Sequence, residues 1–318
     1  LDVVAGETSA TVNWSTDDVT TGVVEYGTTS SYELGSVSTS GSSTSHSVEL
    51  TGLDPGVAYQ VRVTASNTGS LNSVAETLFE AALGPVIDVW YGDSQRFGEI
   101  GSPQRWVNVL GNVADDDGVA TLSYSLNGGG SVPLSVGPDG RRLVDEGDFN
   151  VEIDRLMLNE GLNTVEIAAV DTNGFENKRT VEITYTSGAV WPLAFTAEWA
   201  AVEAITDISQ PVDGRWSLGA GGVRSSEMRY DRTLAIGDVN WSSYEVRVPV
   251  TINEFSPQGF EKPNLRPAVG VALRWIGHSD GVTPQPRGNW RPLGGAAFYE
   301  LKASGSGGVL SLTDWKNF

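Results

Sequence analysis

The sequence predicts an all-β chain built as tandem antiparallel β-sandwiches, and three observations carry that prediction. Apolar and polar residues alternate in short runs, the period of a half-buried strand. Between the runs lie turn clusters rich in Asp-Gly and Asn-Gly. The length of 318 residues suits three modules of about 100 residues each.

Composition narrows the class further. The chain has no cysteine, so each module must hold itself together by core burial, which a domain of about 100 residues can do. No apolar run reaches the roughly 18–20 residues that cross a bilayer, so a soluble chain without membrane insertion is expected. It begins at Leu1; in an exported protein the targeting segment is expected to have been removed or to lie outside this sequence. Net charge is −20, from 40 acidic and 20 basic side chains. That balance repels nucleic acid and anionic membranes and argues against both as partners. The charge is uneven: residues 1–82 carry −9, residues 83–188 carry −10 and residues 189–318 carry −1, with seven of the ten tryptophans in the last segment. The first two segments have the composition of solvated spacers and the third that of a recognition surface.

In residues 1–82, Ala10-Thr11-Val12-Asn13-Trp14, Gly22-Val23-Val24-Glu25-Tyr26, Ser47-Val48-Glu49-Leu50 and Tyr59-Gln60-Val61-Arg62-Val63-Thr64-Ala65 all alternate. The most specific stretch runs from Leu53 through Asp54-Pro55-Gly56 to Tyr59. A Leu, a tight turn and then a Tyr opening a strand give the pattern of a tyrosine corner, whose hydroxyl ties back to nearby backbone. On these residues the segment resembles a fibronectin type III domain, which implies Trp14 as the buried indole and Tyr59 as the corner tyrosine. The first strand is nearly absent before Ala5-Gly6, so the sequence is expected to begin inside the domain. Similar domains precede some secreted metallophosphatases, but no His/Asp metal cluster follows in this sequence.

Gly84-Pro85 marks the next junction. Residues 83–188 alternate in Val86–Trp90, Trp106–Leu110, Thr121–Leu126 and Asn163–Val170. The turns Asp117-Gly118, Asn127-Gly128, Asp139-Gly140 and Asn173-Gly174 supply the positive φ that tight hairpins demand. The stretches Gly147–Ile153 and Glu160–Gly174 look like the late strands of bacterial Ig-like domains of large exported proteins. That resemblance implies a fold and no activity.

Residues 189–318 change character. Val239–Ile252 reads as one long alternating strand, followed by Val269–Trp275 and Ala296–Leu301. The sequence of the first two resembles the concanavalin A-like jelly roll shared by laminin G-type modules, lectins and many glucanases. Such domains usually need nearly 200 residues, so this one is expected to be C-terminally incomplete at Phe318 and to be completed by further sequence or by another chain, since soluble proteins avoid open edges.

Catalytic chemistry finds little purchase. The two histidines, His46 and His278, lie in different modules, and neither has a nucleophile context. His46, in a Ser/Thr-rich loop, is expected to be exposed. With no cysteine and only two histidines, a catalytic zinc site is not expected. Jelly-roll glucanases place paired carboxylates on one strand, yet Val239–Ile252 carries only Glu245. The expectation is therefore no enzyme, no catalytic residue, no metal site and no cofactor. Calcium is the one ion with a candidate motif: Asp115-Asp116-Asp117-Gly118 and Asp171-Thr172-Asn173-Gly174 place oxygen ligands around Gly turns. The competing reading is ordinary Asx-turn chemistry.

The candidate binding residues are Arg274, Trp275, Trp290, Arg291 and Tyr299. Aromatic faces stack on sugar C–H groups and Arg donates in a planar fork, both features of binding hot spots. The loop Ile276–Pro292, with Pro284, Pro286, Pro292, Gly281 and Gly288, suits a structured functional loop. For Trp275 and Tyr299, on strands, the alternative is a place in the core. The function so predicted is an extracellular or cell-surface protein without catalysis, whose acidic spacers present a module that binds a polysaccharide or surface glycan. A subunit of a filament or surface layer, self-assembling with identical chains by strand addition, is the alternative. An accessory region of a secreted polysaccharide-degrading enzyme is a further one.

Overall fold

A computed structural model describes residues 1–227, 231–253, 267–279, 284–290, 294–301 and 307–314. The chain is all-β, with three short 3-10 turns as its helical elements among the described residues. It divides into two compact units. The first comprises Leu1–Val86, Asp115–Ala120 and Val170–Asn177; the second comprises Ile87–Ala114, Thr121–Ala169 and Lys178–Phe318. The described parts of residues 189–318 therefore fall in the same unit as most of residues 83–188.

The first unit holds β1 (Asp2–Ala5), β2 (Ser9–Gly27), β3 (Gly35–Ser38), β4 (Ser43–Thr51), β5 (Ala58–Asn67) and β6 (Asn72–Glu80). The 19-residue β2 does double duty: Ser9–Ser15 pairs with β4, and Thr20–Gly27 pairs with β5, with a register irregularity between Ser15 and Thr20. The strand so turns from one ladder to the other. Alternate residues Val12, Trp14, Val24, Val48, Leu50, Val61 and Val63 point inward and form the core. Trp14 packs so closely on Gly22 that a Cβ there would lie 2.2 Å from the indole, which fixes glycine at that position. The Tyr59 hydroxyl accepts the Asp54 N–H at 2.8 Å, the geometry of a tyrosine corner. Two expectations are corrected. The first strand is present as β1, in register with β2 from Asp2↔Asn13 to Ala5↔Ala10. His46 is buried rather than exposed, because it lies on β4 opposite Trp14, stacks on that indole at 4.9 Å and shares a 3.0 Å hydrogen bond with Thr20.

The next strands are β7 (Val86–Val89), β8 (Ser94–Phe97), β9 (Trp106–Ala114), β10 (Val119–Leu126), β11 (Val132–Leu134), β12 (Asp148–Asp154), β13 (Gly161–Asp171) and β14 (Glu176–Tyr185). They form a five-stranded sheet, β11-β10-β13-β14-β8, and a three-stranded sheet, β12-β9-β7. Gly118, Gly128, Gly140 and Gly174 all take positive φ, between 67° and 92°, as the Asp-Gly and Asn-Gly turns require. On β13 burial alternates, but β12 and most of β9 are buried at consecutive positions, so both faces are covered. One face is apolar (Val107, Val109, Phe149, Val151 and Ile153), and the other carries Trp106, Asn108, Asn150 and Glu152.

Residues 189–318 contribute β15 (Gln210–Asp213), β16 (Trp216–Gly219), β17 (Gly222–Ser225), β18 (Thr233–Ala235), β19 (Ala268–Leu273), β20 (Gly295–Leu301) and β21 (Gly308–Asp314). They pair as β15-β18, β16-β17 and β19-β20-β21. The strand expected over Val239–Ile252 is not formed. Val246, Val248, Val250 and Ile252 are exposed, and no ladder partner lies beside them among the described residues. Alternation marks an extended segment, and only a neighbour with free N–H and C=O groups makes it a strand.

Candidate functional site

The polar face of β9 and β12 is covered by parts of the chain from residue 210 onward, through hydrogen bonds rather than hydrocarbon. Gln210 donates from Nε2 to the Trp106 carbonyl at 2.7 Å, and Asn150 donates from Nδ2 to the Val212 carbonyl at 2.7 Å. Gln285 makes a reciprocal pair with Glu152 backbone: the Glu152 N–H donates to Oε1 at 2.7 Å and Nε2 donates to the Glu152 carbonyl at 3.0 Å. A side-chain amide thus does for β12 what another strand would do.

At the centre lies Arg142, buried with its charge intact. Its Nε donates to Asp213 at 2.5 Å and its Nη1 to Glu152 at 2.7 Å, and all three side chains are at most 1% exposed. Arg287 closes on the second Glu152 oxygen, by its N–H at 2.8 Å and Nη1 at 3.2 Å. His278 reaches the second Asp213 oxygen at 3.2 Å through Nε2. The loop that delivers Arg142 is shaped by two carboxylates. Asp139 accepts the N–H groups of Arg141, Arg142 and Leu143, and Asp148 accepts those of Val144 and Asp145. Burial pushes the Asp213 carboxyl up, but the Arg142 charge and His278 more than reverse this and hold it below the usual carboxylate range. The two acids are thus engaged by three basic side chains, Arg142, Arg287 and His278. A buried pair of this kind contributes fixed geometry more than net stability.

Beside the network sit the aromatic residues singled out in the sequence. Trp275 is buried, packed with Val212, Ala235 and Ala296, and Trp290 is half-buried against the same cluster. Their ring centroids are 5.3 Å apart, and the His278 ring lies 5.1 Å from Trp275 and 5.0 Å from Trp290. The Trp290 Nε1 donates to Asp231 at 3.1 Å, which fixes the outer indole. Arg274 is exposed and left-handed, with φ of 55°, and its N–H donates to the Tyr244 hydroxyl at 2.8 Å. That turn out of β19 aims the next residue, Trp275, inward. Tyr299 is exposed on β20, three residues from Ala296 and so on the opposite face of the strand from the Trp275 contact. The fold thus brings Trp275 and Trp290 together and leaves Tyr299 apart. Arg291 lies outside the described residues.

Sequence reasoning missed Arg142, Glu152, Asp213 and Gln285. On an alternating strand Glu152 and Asn150 read as the solvated face. The available signal was Trp106, an aromatic residue on that same polar face, which the Arg287 guanidinium caps at 3.8 Å and whose Nε1 donates to the His278 carbonyl at 2.6 Å. Gly277 lets the backbone pass, since a Cβ there would lie 2.6 Å from the Trp106 ring.

Comparison with known proteins bears on parts of the chain. Residues 2–78 match the family described as the purple acid phosphatase, N-terminal domain. No curated protein matches the chain in sequence. Among solved structures, similarity is found to one described as "Structural insight into host cell surface retention of a 1.5-MDa bacterial ice-binding adhesin", at 16% identity, over 59% of this chain, with a TM-score of 0.25. The match spans 60% of that bacterial chain. No helix among the described residues is long and apolar enough to cross a membrane.

Proposed function

We propose that this chain is a non-catalytic display segment of an extracellular or cell-surface protein, in which acidic β-sandwiches carry a carbohydrate-binding surface around Trp290. The observation that carries the reading is the division of labour among the polar and aromatic groups. Both histidines are engaged inside the fold, His46 with Thr20 and Trp14, His278 with Asp213. Trp290, by contrast, keeps part of its surface in solvent while Trp275 behind it and Asp231 beside it hold its orientation. A held aromatic plate suits stacking on sugar C–H groups, and Arg274, exposed just before Trp275, offers a planar donor. The net charge of −20 keeps such a segment dispersed and disfavours polyanionic ligands, so neutral or basic glycans are the expected class. The test is a glycan array probed with the full chain. Binding that Trp290→Ala abolishes while the variant remains folded at the assay temperature is the expected result; no binding to any glycan removes the reading.

A second reading has one observation in its favour. Strand β21 is an edge of its sheet among the described residues, and Leu310 and Leu312 on it are 64% and 75% exposed. An edge of this kind invites pairing with another chain. Sedimentation that shows concentration-dependent growth would favour self-assembly over glycan display.

A further inference from the structure

The two Asp-rich turns, Asp115–Gly118 between β9 and β10 and Asp171–Gly174 between β13 and β14, come together in the fold, and both belong to the first compact unit. The Thr172 N–H donates to the Gly118 carbonyl at 3.0 Å, the Thr172 hydroxyl to the Asp117 carbonyl at 2.9 Å, and the Asn173 amide to Asp117 Oδ2 at 2.8 Å. The result is a cluster in which Asp115, Asp117 and Asp171 each offer a carboxylate oxygen, all within 4.8 Å of one another. Acidic clusters are common at surfaces and mean little alone. Here Asp171 is different. Its side chain is 2% exposed, and one oxygen, Oδ1, accepts the N–H groups of Asn173 and Phe175 at 2.9 and 2.8 Å. The other, Oδ2, is buried and has no hydrogen-bond partner at all. A carboxyl oxygen shut away from water without a partner, beside two further carboxyl groups, is a costly arrangement unless a cation completes it.

No side chain of the unit supplies that charge. Over Leu1–Val86, Asp115–Ala120 and Val170–Asn177 there are fifteen acidic residues and one basic residue. The one base, Arg62, is paired with Glu25 at 2.8 Å.

We propose that Asp115, Asp117 and Asp171 bind a calcium ion that ties the two turns together. Calcium accepts six to eight oxygens in flexible geometry, so three carboxylates from two turns, with carbonyls and water, form an acceptable shell. Magnesium demands a near-ideal octahedron and gives up water reluctantly, and irregular turns serve it poorly. Calcium sites of extracellular modules have dissociation constants of about 10⁻⁴–10⁻³ M, and this site is placed in that range. A hundredfold excess over the dissociation constant then raises the folding equilibrium of the unit about 100-fold.

The experiment is calorimetric titration of the chelator-treated full chain with calcium chloride, and separately with magnesium chloride, alongside thermal melting with and without calcium. One equivalent of calcium, binding at least tenfold tighter than magnesium, and a melting transition that rises by several degrees are expected. Asp171→Asn should weaken binding at least tenfold. Asp117→Asn, at an exposed position, should do the same and covers the case in which the buried variant fails to fold. Asp116→Asn, next to the cluster and outside it, should bind as the parent does. No binding at 10-fold above about 10⁻³ M calcium would overturn the proposal. So would weak binding of several equivalents that Asp117→Asn and Asp171→Asn leave unchanged, since that is the behaviour of a diffuse acidic surface.

Discussion

In the first unit the core of β2, β4 and β5 is mostly hydrocarbon: Val12, Val24, Leu50 and Val61 have no exposed surface, Trp14 fills the space over Gly22, and the ion pair Arg62–Glu25 stays near the surface. In the second unit an equally buried layer is ionic, with Arg142 held between Glu152 and Asp213 and closed by Arg287 and His278. The difference lies in what each sheet face meets. A face that meets another face of its own sandwich is apolar and tolerant of detail, since dispersion and burial are non-directional. The face of β9 and β12 that meets Gln210, Asp213 and Gln285 must match donors to acceptors, and a mismatch there leaves a desolvated charge. The first arrangement stabilises a sandwich; the second specifies which segment covers it.

That contrast can be broken most sharply at Arg142. Arg142→Ala leaves Glu152 and Asp213 buried without their main partner and should destabilise the second unit by about 3–5 kcal/mol. Calorimetric melting should show a lowered transition for that unit, with the transition of the first unit in place.

The next largest effect is a pH dependence confined to the same unit. The folded Asp213 carboxyl titrates below its ordinary value of 3.8. A depressed carboxyl contributes stability that is complete above the unfolded value and is lost as pH falls through the folded one. Melting of the second unit should therefore fall as pH drops below the ordinary value of 3.8, and Asp213→Asn should flatten that limb while lowering stability at neutral pH.

The smallest effect sharpens the apolar side of the comparison. Tyr59→Phe removes the hydroxyl that accepts the Asp54 N–H and keeps the ring, stacked on Phe79 at 5.5 Å. A loss of about 1 kcal/mol in the first unit is expected in urea unfolding, with the second unit unaffected.

The first unit was largely legible in the sequence because each of its strands shows one face to water, so Val12, Trp14, Val61 and Val63 announce themselves by period two. The corner at Leu53–Tyr59 was legible because a turn and an aromatic residue occur at fixed spacing. The turns at Gly118, Gly128, Gly140 and Gly174 were legible because positive φ favours glycine. His46 was misplaced since its burial depends on Trp14 across the ladder, a partner 32 positions away. The ionic layer was illegible for a related reason. Glu152 and Asn150 sit where alternation puts solvent, and Arg142, Asp213 and Gln285 meet them from segments between 10 and 133 residues distant. Val239–Ile252 failed in the opposite sense, since its alternation is real and its ladder partner is lacking among the described residues. Of the aromatic set, the Trp275–Trp290 pair could be expected from the Pro/Gly-rich loop between them, while the face taken by Tyr299 depends on the register of β20.

The Arg142 layer fastens Gln210–Asp213 and Gly277–Ser279 to β9 and β12. Hydrogen exchange followed by mass spectrometry on the full chain and on Arg142→Met tests it directly. Faster exchange is expected in the variant at Gln210–Asp213, Gly277–Ser279 and Asp148–Asp154, with Tyr59–Ala65 unchanged. Exchange at those three segments that is the same in both proteins would contradict it.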